Sequence, residues 1–192
     1  MAVKNTEEVF AVKKRNIVMF ALALVCVMGN ALFAPAPVHA SVLGETQVSF
    51  ERAIQIAIGH AGGSGGVVTD VEWKNKHGRS PVYEIEIYRG GQKHEIRIDA
   101  VTGEIIRAKN KRTSKMPAGL VVSQVTSARS NELAATAVSR AGGGRVAEID
   151  WEHGRNGTIV EIEVNNNGQK HEFRFNPATG EIIRHRSRTR SW

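Results

Sequence analysis

The chain has 192 residues, with 26 Lys and Arg against 19 Asp and Glu, seven histidines and one cysteine. An apolar share of 41% and a charged share of 23% exclude a wholly disordered chain. A single cysteine, Cys26, excludes an intramolecular disulfide framework.

In chain order, the first element is a targeting segment. Lys13, Lys14 and Arg15 precede an uncharged apolar run, Ile17–Met28. Val38-His39-Ala40 then places small residues at −3 and −1 before Ser41. This is the layout of a secretory signal peptide over residues 1–40, cleaved after Ala40. The apolar run is shorter than the ~20 residues of a spanning helix, and an uncleaved N-terminal membrane anchor is the alternative. Val25 stands where lipoprotein processing at Cys26 would need a small residue. The expected location is periplasmic or secreted. Removal of Lys4, Glu7, Glu8, Lys13, Lys14 and Arg15 with that segment lowers the formal charge from +7 to +5. An exported chain of that charge suits anionic lipid, lipopolysaccharide or an acidic protein surface rather than nucleic acid.

The remainder is an internal repeat. Val82–Arg107 and Ile159–Arg184 align without a gap, and 15 of 26 positions are identical. Trp73 matches Trp151, and His77-Gly78-Arg79 matches His153-Gly154-Arg155. Each copy opens with a helical pattern. Ile54, Ala57, Ile58 and Ala61 follow helical spacing after a Ser49 N-cap. In the second copy Ala134, Ala137, Val138 and Ala141 do so, after Ser127 or Ser130. A strand carrying the tryptophan follows, around Val67–Lys74 or Val146–Glu152.

A β-hairpin comes next. Tyr83, Ile85 and Ile87 alternate with glutamates, and His94, Ile96 and Ile98 alternate with Lys93, Glu95 and Arg97, so one face is buried and one is wet. Gly90-Gly91 and Asn167-Gly168 suit two-residue type I′ turns. That register pairs Ile85 with Ile96, Ile162 with Phe173, Glu84 with Arg97 and Glu161 with Arg174. It also opposes Glu86 to Glu95, a repulsion that Lys93 and Arg97 relieve. A turn at Asp99 or Asn176 leads into a short strand at Ile105-Ile106 or Ile182-Ile183. The expected fold is α+β: two tandem modules, each one helix packed on a three- or four-stranded antiparallel sheet. The divisions are a signal peptide at 1–40, modules at 46–108 and 127–186, a basic linker at 109–126 and a basic tail at 187–192.

Several motifs point to chemistry and fail on context. Gly62-Gly-Ser64-Gly-Gly66 spells the hydrolase elbow, but it follows a helix and precedes a strand, the reverse of what that elbow requires. His94-Glu95 and His171-Glu172 lack the second histidine of a zincin helix. No nucleophile–base pair or metal-ligand spacing appears, so no enzymatic activity and no cofactor is expected. A looser site remains, in which His94 and His171 meet around a metal across the repeat. The recurring turn residues His77, Arg79, His153 and Arg155 form a candidate contact surface. The basic linker and tail, ending at Trp192, suit weak contact with an anionic membrane.

The Tyr83-Glu-Ile-Glu-Ile strand, the His94-Glu-Ile-Arg-Ile-Asp99 strand and the Asp99-Ala-Val-Thr-Gly-Glu104 turn, with their second copies at 160–164, 171–176 and 179–181, resemble the PepSY family. The resemblance implies an exported, non-catalytic module that regulates or inhibits an envelope peptidase or another envelope protein. Val160 and Asn176 replace Tyr83 and Asp99 in the second copy. If those two residues bind, only the first copy is competent. The alternative reading is a periplasmic metal- or small-ligand-binding protein.

Overall fold

The computed structural model describes residues 43–189 apart from 45, 77 and 155. The targeting segment, with Cys26, and Trp192 lie outside the described residues. The elements, in order, are α1 (Phe50–His60), β1 (Val67–Lys74), β2 (Val82–Arg89), β3 (Gln92–Asp99) and β4 (Ile105–Arg112). After a 3-10 turn at Val122–Gln124 come α2 (Ser127–Arg140), β5 (Arg145–Gly154), β6 (Gly157–Asn166), β7 (Gln169–Phe175) and β8 (Ile182–Thr189).

The hairpins form as their sequences dictate. Gly90, Gly91, Asn167 and Gly168 all have positive φ, at 58°, 72°, 47° and 77°, the conformation a type I′ turn requires. Ile85 pairs with Ile96 and Glu84 with Arg97. Ile162 pairs with Phe173 and Glu161 with Arg174. The Glu86–Glu95 opposition is real, and Lys93 bridges both at 2.5 and 3.0 Å. Lys170 does the same for Glu163 and Glu172.

The expectation of a separate three- or four-stranded sheet in each tandem module is corrected. The strands form one antiparallel sheet in the order β4-β3-β2-β1-β5-β6-β7-β8. Its centre is the pairing of β1 with β5, in which Val71 faces Trp151 and Trp73 faces Ile149. Small sheets with one dry face are marginal alone. Joining them edge to edge makes the apolar face continuous, and the buried side chains of both halves form a single core.

Both tryptophans are fully buried in that core. Trp73 Nε1 donates to Thr46 Oγ1 at 3.0 Å, and Trp151 Nε1 donates to Ser130 Oγ at 3.1 Å. Ser49 caps α1 as its sequence position indicates, but Thr126 rather than Ser127 or Ser130 caps α2. Ser127 is drawn elsewhere: its Oγ accepts from Phe50 N, and its N–H donates to Glu51 Oε1. The two helix N-termini therefore hold each other.

The final strands exceed expectation. Lys109, Lys111 and Arg112, assigned to a linker, belong to β4, and Ser187, Arg188 and Thr189, assigned to a tail, belong to β8. Pairing with β3 and β7 orders them, because the preceding hairpin presents a free edge eight or seven residues long.

A prediction follows from the shared core. Trp73→Ala should lower stability by ~3–5 kcal/mol. Thermal unfolding followed by circular dichroism should shift as one transition. A second, unshifted transition assignable to residues 127–189 would contradict the single core.

Candidate binding surface

The side of the sheet away from the helices is wet. On β1 it presents Asp70, Glu72 and Lys74, and on β5 Glu148, Asp150 and Glu152. The register opposes Asp70 to Glu152, Glu72 to Asp150 and Lys74 to Glu148. Next come Glu84 and Glu86 on β2 and Glu161 and Glu163 on β6. The outermost strands are basic: Arg107, Lys109 and Lys111 on β4, and Arg184, Arg186 and Arg188 on β8. The face thus grades from an acidic centre to two basic rims. A shallow polar depression in it is lined by Asp70, Glu72, Glu84, Glu86, Arg97 and Lys109 among others.

Charge pairing is uneven across this band. Lys74 bridges Glu72 at 2.5 Å and Glu84 at 2.8 Å. Burial alone would raise Glu84, but Lys74 and Arg97 outweigh it and hold that carboxyl down to about 2. In the second half Arg174 joins Glu161 and Glu152. The seam carboxyls fare differently. Burial first, then Glu86, Glu72 and Glu152, pushes Asp70 up to about 7. Burial and a hydrogen bond shared with Glu72 raise Glu148 to about 7. Burial, with Asp70 and Glu72 close by, raises Asp150 to about 9. Asp150 Oδ1 is also buried without a hydrogen-bond partner.

The residues singled out from the sequence scatter. Tyr83 is a core residue rather than a surface one: it is fully buried, and its hydroxyl donates to Val48 O at 2.7 Å. Asp99 is engaged in its own turn, where Oδ1 accepts from Val101 N and Thr102 N. Asn176 Oδ1 does the same work, accepting from Ala178 N and Thr179 N. These two replacements between the repeats are therefore structural matters. Arg79 is exposed in the loop between β1 and β2, and His153 is exposed near the end of β5, paired with Thr158, while His77 and Arg155 lie outside the described residues. His94 and His171 are not brought together. They sit on β3 and β7, five strand steps apart in the sheet, or about 24 Å at ~4.8 Å per step. His171 instead meets His185 on β8. Among the described residues no three His, Cys, Asp or Glu side chains converge as a metal set. Ser64 lies exposed in the loop between α1 and β1.

The acidic band escaped the sequence reading because it depends on β1 lying against β5. The i, i+2 spacing of Asp70 and Glu72, and of Glu148, Asp150 and Glu152, shows that each strand has a wet acidic side. Nothing in either strand names the other as its neighbour.

Three comparisons bear on this arrangement. Residues 47–109 match the family model PepSY, described as "Peptidase propeptide and YPEB domain". The match spans α1 through β3 and most of β4. Among solved structures, one of a protein from Clostridium difficile 630, provisionally described as a lipoprotein, aligns with a TM-score of 0.62 at 15% identity. The alignment covers 74% of this chain and 95% of that one, more than either repeat alone could supply, so the likeness in fold extends to both halves of the sheet. No curated protein matches the chain.

The raised carboxyls give a testable pH dependence. Asp70, Glu148 and Asp150 hold protons in the folded state that the unfolded chain releases near pH 4. Their contribution to stability is full below about pH 4 and is lost as pH rises through about 7 to 9. Melting temperature should fall from pH 6 to pH 9. Asp150→Asn should flatten that fall and add about 1 kcal/mol at alkaline pH, the worth of roughly one pKa unit. A melting temperature that climbs over the same range would contradict the assignment.

Proposed function

Because residues 47–109 form a PepSY domain, we propose that the protein is a non-enzymatic binding module of the cell envelope that engages and restrains a peptidase. The observation that carries this reading is the pair of open sheet edges. Among the described residues β4 and β8 each have one neighbouring strand, and their residues are mostly exposed. An edge of this kind can take up an extended segment of a partner by main-chain pairing. Both edges are basic and carry no acidic residue, in Ile105–Arg112 and Ile182–Thr189 alike. Like charges on both edges oppose self-association, and the same charges favour an acidic strand. The exposed Ile106 and Ile183 add apolar contact at equivalent places, 54% and 58% accessible.

The family description supports a peptidase as the partner, since it names peptidase propeptides. The signal-peptide layout of residues 1–40 supports an envelope location. The exposed Arg79, in the loop after β1, and His153, near the end of β5, are secondary contact candidates.

The test is inhibition. Added protein should lower peptidase activity in an envelope extract of the source organism. The double variant Lys109→Glu, Arg186→Glu should weaken that inhibition at least about tenfold, the effect of reversing charges that steer and hold a complementary surface. An extract whose peptidase activity is unchanged at saturating protein would refute the reading.

A further inference from the structure

The two repeats differ at one place where the difference creates chemistry. His171 on β7 and His185 on β8 stand with Nδ1 and Nε2 3.3 Å apart. Two nitrogen ligands on a tetrahedral ion, each at ~2.0–2.1 Å, stand about 3.3–3.4 Å apart. The geometry points to a transition-metal site formed by His171 and His185, taking a borderline dication such as Zn2+ or Cu2+.

The pair is held before any ion arrives. His171 is 9% accessible and faces Val164 and Ser187 across the sheet. His185 pairs with Phe173, and their rings stack at 4.1 Å and 6°. The rings of His171 and His185 lie at 17° to each other. Only one proton can occupy the space between the two nitrogens, and a metal ion can replace it. His185 is exposed, which leaves the remaining coordination positions to water. Two imidazoles with open positions suit zinc, copper or nickel, with copper the tightest.

Strand alternation removes the obvious objection, the positive charge of β8. Arg184, Arg186 and Arg188 pair with Arg174, Glu172 and Lys170 on the wet face. His185 and Ser187 point to the other face, beside the apolar core. A bound ion would clasp the edge strand β8 to β7.

The first repeat provides the control. His94 occupies the place of His171, but Ala108 pairs with Ile96 where His185 pairs with Phe173. The first half therefore has one ligand where the second has two.

Calorimetric titration of the full chain with ZnCl2 and with CuCl2 at neutral pH tests the site. One ion should bind per chain with micromolar affinity, copper more tightly than zinc. His185→Ala changes an exposed residue and should leave the apo circular-dichroism spectrum in place while weakening binding at least about tenfold. His94→Ala should bind as the unaltered chain does. Ala108→His should raise the stoichiometry from one to two. The inference is overturned if neither metal binds at ~100 µM, if His185→Ala binds unchanged, or if a folded Ala108→His variant still takes one ion.

Discussion

The pairing of β1 with β5 is the contact on which everything else depends. It joins the first half of the sequence to the second along the middle of the sheet, with Glu72 opposite Asp150 at its centre. Those two residues occupy the same position in the two repeats, since Trp73 aligns with Trp151. The seam is therefore self-complementary, as in a two-fold dimer interface, but lies within one chain. It merges two apolar faces too small to stand alone into a common core. It also places β4 and β8 at the rims, where among the described residues no further strand pairs with them.

The same pairing creates a tension. The wet sides of β1 and β5 are acidic, and antiparallel register sets them directly against each other. Like charges opposed across strands are destabilising. The apolar gain on the other face, anchored by Trp73 and Trp151, outweighs that repulsion. One cation, Lys74, serves the seam itself, and Arg174 serves its flank. Asp70, Glu148 and Asp150 are left to meet the repulsion by holding protons well above the usual carboxylate range. The sheet thus concentrates negative charge at the join and positive charge at the edges offered to partners.

Local features were the most legible in the sequence. Alternation and the Gly-Gly and Asn-Gly turns gave both hairpins to the residue, because side-chain period and turn type together leave one register open. The helices were legible for the same reason. The long-range join was not, since a strand's pattern says which side is buried and not which strand lies beside it. The ends of β4 and β8 were hidden by composition: runs of Lys and Arg read as solvated chain, and only an available partner edge makes them strands. Site residues were legible in kind and not in grouping. His171 stood out as half of a pair, but its partner is His185 on the adjacent strand β8 and not the expected His94 on β3. Tyr83 and Asp99 stood out as motif residues that the second copy replaces with Val160 and Asn176, and their places serve core packing and turn closure.

Hydrogen exchange across the central strands tests the account most directly. The amides of Val71, Trp73, Ile149 and Trp151 should exchange as slowly as those of Ile85 and Ile162, at rates set by global unfolding. Exchange at the β1–β5 seam that is faster than in β2 and β6 would show that the halves separate before they unfold, and would contradict a single sheet held together at its centre.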